Sequence, residues 1–183
     1  IINNKLISMN QNNELIIFDK FNGDVLNLIP TEEVILKNEF LSNISLDDKN
    51  IYFLNTFGSL YAISNENMQI KWFINLNQSQ DSNSNDLFDG TEIIYHDEKI
   101  IASSRKFMYV VNALDGKIIY KLNISSLTKP IIINNYFFTV TTNNLLISFD
   151  LENGKIIYSY DINQLISEYL NIKKNKVVLK FLM

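Results

Sequence analysis

A chain of 183 residues with 46% hydrophobic and 20% charged side chains can bury a core and lacks the charge excess of a disordered one. Its net charge of −4, with no basic stripe, argues against nucleic acid as a partner. With no Cys there are no disulfides and no thiol catalysis, and no apolar run is long enough for a membrane-spanning helix.

Taken in order, the apolar runs are short, rich in Ile, Val, Tyr and Phe, and separated by Asn, Asp and Gly, which is the signature of strands and hairpins. Residues 1–33 predict strands at Lys5–Ser8, Glu14–Asp19 and Asp24–Ile29, one fewer than the units that follow. Residues 34–76 predict four, at Phe40–Ile44, Asn50–Leu54, Ser59–Ile63 and Ile70–Leu76. The polar run from Asn77 to Asp86 predicts a mobile surface loop. Residues 77–124 then predict Thr91–Tyr95, Lys99–Ser103, Phe107–Val111 and Lys117–Leu122. Residues 125–163 predict Lys129–Ile133, Tyr136–Thr141, Leu145–Phe149 and Lys155–Asp161. A partial unit, 164–183, predicts strands at Ile166–Ile172 and Val177–Leu182 around a Lys173-Lys174-Asn175 turn.

The last hairpin of each unit repeats one pattern: an apolar run, an Asp, a polar turn with Gly, and an apolar run ending in an aromatic. The pattern places Asp19 with Gly23, Asp115 with Gly116 and Tyr120, and Asp150 with Gly154 and Tyr158; in the second unit Met68 replaces the glycine before Trp72. Gly supplies the positive φ that the turn needs, and an Asp at its start can accept from backbone N–H groups two residues on. The aromatic is large enough to cover a neighbouring sheet. The turn positions are spaced by 45, 48 and 38 residues, and four-stranded repeats of about 40–50 residues are propeller blades. Blades bury both faces against neighbours, so an array that starts without one strand and stops mid-blade leaves a raw end. The expectation is therefore a trimmed fragment of a longer propeller, or self-association in which a second copy covers the open ends.

Chemistry-bearing motifs are sparse. The single His, His96, is expected at an exposed hairpin turn with no converging ligands. Asp47-Asp48-Lys49-Asn50 and Asp86-Leu87-Phe88-Asp89-Gly90 lack the spaced oxygen donors and closing Glu of a calcium loop and read as solvated turns. No nucleophile elbow, phosphate loop or zinc-protease motif is present, so no catalytic, metal or cofactor-binding residue is assigned. Asn43-Ile44-Ser45 and Asn123-Ile124-Ser125 fit the glycosylation pattern but are expected by chance in so Asn-rich a chain. Asp86, Leu87, Phe88 and Asp89, closing the polar loop, are the candidate partner-binding residues, with an exposed apolar contact at Leu87 and Phe88.

Phe57-Gly58-Ser59-Leu60-Tyr61-Ala62-Ile63 followed by Lys71-Trp72, and the stretch from Asp150 to Tyr158, resemble the pyrroloquinoline-quinone-type (PQQ-like) propeller repeat. That repeat reads Gly-x-Leu-Tyr-Ala-Leu-Asp, then x-x-x-Gly-Lys and an aromatic, usually Trp. The resemblance covers nearly the whole chain. It implies an all-β propeller of four-stranded antiparallel blades, about four of them present out of seven or eight. Quinoprotein dehydrogenases of this kind bind quinone and calcium through dedicated residues, often with a Cys pair; with neither recognisable here, no cofactor is expected. The other branch, the BamB-type assembly factors, implies a non-enzymatic periplasmic scaffold. Its partners would be other envelope proteins, foremost an outer-membrane barrel-assembly protein. Membrane attachment would come only through a lipid-bearing Cys upstream of Ile1. A quinone-dependent dehydrogenase fragment and a luminal stress-sensor domain are the alternative readings.

Overall fold

The computed structural model describes residues 4–31, 43–77, 88, 92–104, 106–126 and 128–169. It divides into two compact units, residues 1–124 and 125–183, each described by itself.

The first unit holds three antiparallel sheets. β1 (Lys5–Met9), β2 (Leu15–Asp19) and β3 (Val25–Ile29) form a three-stranded sheet in chain order. β4 (Ile44–Leu46), β5 (Asn50–Leu54), β6 (Ser59–Ser64) and β7 (Ile70–Asn75) form the second sheet. β8 (Ile94–His96), β9 (Lys99–Ser103), β10 (Met108–Asn112) and β11 (Ile118–Leu122) form the third. The second unit is one sheet of β12 (Ile131–Ile133), β13 (Tyr136–Val140), β14 (Leu145–Asp150) and β15 (Ile156–Asp161), followed by a helix, α1, over 162–169.

The middle sheet shows why the central strands read as unbroken apolar runs. Side chains alternate across a strand. Ile51 and Phe53 of β5, with Tyr61 and Ile63 of β6, pack against Leu15, Ile17 and Ile29 of the first sheet. Tyr52 and Leu54, with Leu60 and Ala62, pack the other way, against Ile100, Ala102, Tyr109 and Val111 of the third. Every residue of β5 and β6 is buried. Each wholly buried Leu, Ile or Phe is worth about 1.5–3 kcal/mol, so this sheet dominates the unit's stability. The fourth strands are more open: β7, β11 and β15 keep Ile70, Ile118 and Ile156 exposed. In the second unit Phe137 and Phe149 are direct cross-strand partners, wholly buried, with ring centroids 4.5 Å apart.

The first strands of the four-stranded sheets are offset from the expected ones. The predicted strand at Phe40–Ile44 has residues 40–42 outside the described residues, and β4 runs on to Leu46. The one predicted at Thr91–Tyr95 is displaced to Ile94–His96: Glu92 and Ile93 precede the strand, and Thr91 lies outside the described residues. β12 begins only at Ile131, because Pro130 has no N–H to give a ladder.

Two expectations are corrected outright. His96 is not a turn residue: it is half-buried, ends β8 and pairs with Lys99. The turn is Asp97-Glu98, both at positive φ (46° and 59°), a two-residue hairpin loop whose twist suits the strands. The strand expected from Ile166 is a helix through Tyr169. Asp161 caps it, its Oδ1 accepting from the N–H of Asn163 at 2.8 Å and of Gln164 at 3.4 Å. Gln164 Nε2 then reaches Glu168 Oε1 at 3.0 Å, one turn on. The predicted turn at Lys173-Lys174-Asn175 and strand at Val177–Leu182 lie outside the described residues.

Candidate interaction surfaces

The repeated hairpin turn is a five-residue device found in all four sheets. Its first residue accepts at its carbonyl from the N–H four residues on: Asp19 from Gly23 (3.0 Å), Ser64 from Met68 (2.9 Å), Asn112 from Gly116 (2.9 Å) and Asp150 from Gly154 (2.8 Å). The fifth residue has φ of 77°, 58°, 75° and 71° in turn, so Met68 bears the strain that Gly avoids elsewhere. The first side chain accepts from the N–H two residues on, as in Asp19 Oδ1 from Phe21 at 2.7 Å and Asp150 Oδ1 from Glu152 at 2.8 Å. In the third sheet that part is played by Asn112, which accepts from Leu114 at 2.8 Å. Asp115 therefore does not start its turn, as the sequence pattern suggested. It sits one residue before Gly116, accepts from the N–H of Lys117 at 3.1 Å and pairs with that ammonium at 2.9 Å.

Aromatics fasten neighbouring sheets of the first unit together. Trp72 of β7 lies against Gly116, where a Cβ would meet its ring at 2.6 Å, and its Nε1 donates to Ala113 O at 3.0 Å. Tyr120 and Tyr158, the corresponding aromatics, are half-buried, and Tyr158 packs on Phe138 and Tyr160. Gly58 lies against a second aromatic, Phe88, where a Cβ would meet the ring at 2.7 Å.

That places Phe88 differently from the expectation of an exposed contact. It is 8% exposed and part of the core around Tyr109. Its N–H donates to Thr56 O at 2.7 Å, while the N–H of Leu76 donates to Gly58 O at 2.8 Å. Both ends of the segment 77–87 are thus pinned to the β5–β6 turn. Asp86, Leu87 and Asp89 lie outside the described residues.

At the opposite end of the second sheet, the β4–β5 and β6–β7 turns border an open polar groove of about 540 Å³, with Asp48, Lys49, Asn65, Glu66 and Lys71 among its lining. Beneath it Asp47 is consumed by structure. Its Oδ1 accepts from the N–H of Lys49 (2.7 Å) and Asn50 (2.6 Å), and its Oδ2 from Tyr52 OH (2.7 Å) and Asn50 Nδ2 (3.0 Å). Burial pushes the Asp47 carboxyl up, but these donors outweigh it and hold it below the usual 3.8. Burial, reinforced by the bond to Asp47, pushes the Tyr52 hydroxyl well above its ordinary range. Lys71 Nζ completes the network at 2.6 Å from Asn50 Oδ1. No group of acidic, His or Cys side chains placed to hold a metal occurs among the described residues, and no described helix is long and apolar enough to cross a membrane.

No protein-family model and no curated protein matches this sequence. Solved structures do. BamB from Moraxella catarrhalis aligns over 87% of this chain with a TM-score of 0.66 and 11% identity, covering 47% of BamB. A quinohemoprotein alcohol dehydrogenase from Comamonas testosteroni aligns over 88% with a TM-score of 0.69 and 10% identity, covering 34% of that enzyme. Sqt1 from Saccharomyces cerevisiae aligns over 85% with a TM-score of 0.69 and 15% identity, covering 44% of Sqt1. The chain therefore spans between a third and a half of the structures it matches. At such identities a likeness speaks for architecture alone, and the four antiparallel sheets agree with it: this chain has the fold of part of a β-propeller, as in BamB and the quinohemoprotein dehydrogenase.

Proposed function

We propose that this protein is a non-enzymatic, protein-binding scaffold of the cell envelope, similar in role to BamB in the assembly of outer-membrane β-barrel proteins. The observation that carries the reading is the pinned segment 77–87, whose flanking residues are both hydrogen-bonded to one turn of a doubly buried sheet. A polar segment held at both ends on a rigid frame suits a recognition loop. Asp86 and Leu87 at its end, with Asp89 just beyond it, are the proposed contacts, and Phe88 is the buried anchor between them. By analogy with BamB, the proposal extends to the periplasm as the compartment, a lipid anchor upstream as the attachment and a barrel-assembly protein as the partner. The test is cross-linking in the native cells followed by purification of the tagged protein. Recovery of an outer-membrane assembly protein, lost when residues 78–87 are replaced by a short Gly-Ser bridge, is the expected result. Recovery unchanged by the replacement would remove the loop from the proposal.

The likeness to the alcohol dehydrogenase favours a second reading, in which the chain is part of a quinone-dependent enzyme. It predicts quinone binding and dye-linked alcohol oxidation by the full-length protein, neither of which a scaffold would show.

A further inference from the structure

The first unit shows how one of these sheets meets the next. Tyr52, Leu54, Leu60 and Ala62, with Trp72 paired to Ala62, form the forward face that the second sheet turns to the third. Ile51, Phe53, Tyr61 and Ile63 form the backward face that it turns to the first. Apart from Trp72, none of these side chains is more than 6% exposed.

Strand register identifies the same two faces in the outer sheets. In the second unit Phe138 pairs with Ser148 and Ser148 with Tyr158, as Tyr52 pairs with Ala62 and Ala62 with Trp72. Val140, Leu146 and Tyr160 form the next row, as Leu54, Leu60 and Ile74 do. This forward face is apolar and open: Tyr160 is 53% exposed, and Phe138, Val140, Leu146 and Tyr158 are only half-buried. In the first sheet Leu6 pairs with Phe18 and Ser8 with Ile16, as Ile51 pairs with Ile63 and Phe53 with Tyr61. That backward face is open too: Leu6 is 46% exposed, and Leu28, beside Ile16, is 45% exposed.

The hairpin turns show that the two open faces match. Trp72 occupies the space over Gly116, so close that a Cβ there would meet its ring. Gly23 holds the same place in the same turn, with a φ of 77°, and no described atom lies within 4 Å of where its Cβ would be. Tyr158 holds the place of Trp72. The sheet of β12–β15 thus carries an aromatic plug, and the sheet of β1–β3 carries an open socket of the form that such a plug fills between the second and third sheets.

We propose that a second copy of this chain covers the first sheet. The forward face of β12–β15 in one copy packs on the backward face of β1–β3 in the other, with Tyr158 seated over the other copy's Gly23. Each copy aligns with 47% of BamB, so two copies supply one propeller's complement of blades, and the head-to-tail contact, made twice, closes at a dimer. The dimer does not depend on the envelope role or on the loop at 77–87.

The test is sedimentation of the 183-residue chain over a range of concentrations. The expected result is a reversible monomer–dimer equilibrium. Leu6→Lys with Leu28→Lys, and separately Tyr160→Lys, alter exposed side chains only, and each variant alone should be monomeric with an unchanged circular dichroism spectrum. An equimolar mixture of the two variants should regain a dimer, since one forward and one backward face remain intact; a contact between two like faces would not. In the monomer Gly23→Ala meets no ring, but in the dimer its Cβ faces Tyr158, so the dimer Kd should rise by about tenfold or more. A chain that stays monomeric up to its solubility limit overturns the proposal and leaves these faces to another segment or another protein. A dimer indifferent to both face variants overturns it as well. A failed partner capture with the dimer intact would remove the envelope role and leave this contact standing.

Discussion

Gly116 and Gly23 occupy the same place in two copies of one turn, yet they should respond differently to the same substitution. Both have φ near +75°, where an L side chain costs about 1–2 kcal/mol. Around Gly23 a Cβ meets nothing within 4 Å, so Gly23→Ala should cost only that backbone term. At Gly116 the Cβ would sit 2.6 Å from Trp72 Cε3 and 2.8 Å from Cδ2. The indole must move, adding overpacking strain of about 1–3 kcal/mol and weakening the bond from Nε1 to Ala113 O. Gly116→Ala should therefore lose about 2–5 kcal/mol, and at roughly 2–4 °C per kcal/mol its Tm should fall well below that of Gly23→Ala. Urea unfolding followed by fluorescence is the assay, since Trp72 is the sole Trp and its emission should shift red in Gly116→Ala alone. Equal losses in the two variants, with unchanged emission, would falsify the claim that Trp72 fastens the second and third sheets through Gly116.

Other outcomes follow from the same geometry. Phe88→Ala should cost about 3 kcal/mol for the lost ring and cavity, and should speed proteolytic cutting between residues 78 and 87, read by limited digestion. Asp47 has a folded pKa below its unfolded 3.8, so its contribution is fully present above 3.8 and is lost as pH falls from there through the lower folded pKa. The gap in urea midpoint between the parent and Asp47→Asn should be widest near neutral pH and close in acid below 3.8. Tyr52 is shifted the other way, above 10.0, so stability should decline as pH rises past that value. Tyr52→Phe should reduce the decline without abolishing it, because burial also pushes up Tyr95 and Tyr109. Asp161→Ala removes the cap of α1 and should cost about 1 kcal/mol, seen as lost helical circular dichroism with the sheet signal unchanged.

The sequence made the central strands plain because their constraints are local and doubled. β5 is apolar on both faces, and the turns around it carry Asn, Asp or Gly where the backbone needs them. The bounds Asn50–Leu54 and Lys99–Ser103 match the expected ones for that reason. The short first strands were blurred because three residues carry almost no periodicity. Asp115 misled because Asp and Asn can both open an Asx turn, and its place is settled only by the hydrogen bond from Gly116 to Asn112. The helix at 162–169 had a readable signal, Asp161 three residues before Gln164, but Ile166 and the apolar residues after it looked like another strand. Phe88 inward and Asn65 without a donor depend on which sheet lies next door, and no local pattern encodes that.

The two-sided burial of β5 also governs how a gene of this kind can change length. Adding one codon inside that strand would turn Ile51 and Phe53 toward the partner of Tyr52 and Leu54, and both cores would be lost together. The pinned ends at Leu76 and Phe88 isolate what lies between them from that constraint. Insertions and deletions should therefore collect in 78–87 over generations, and the same stretch is where a reporter tag could be spliced in without disturbing either neighbour.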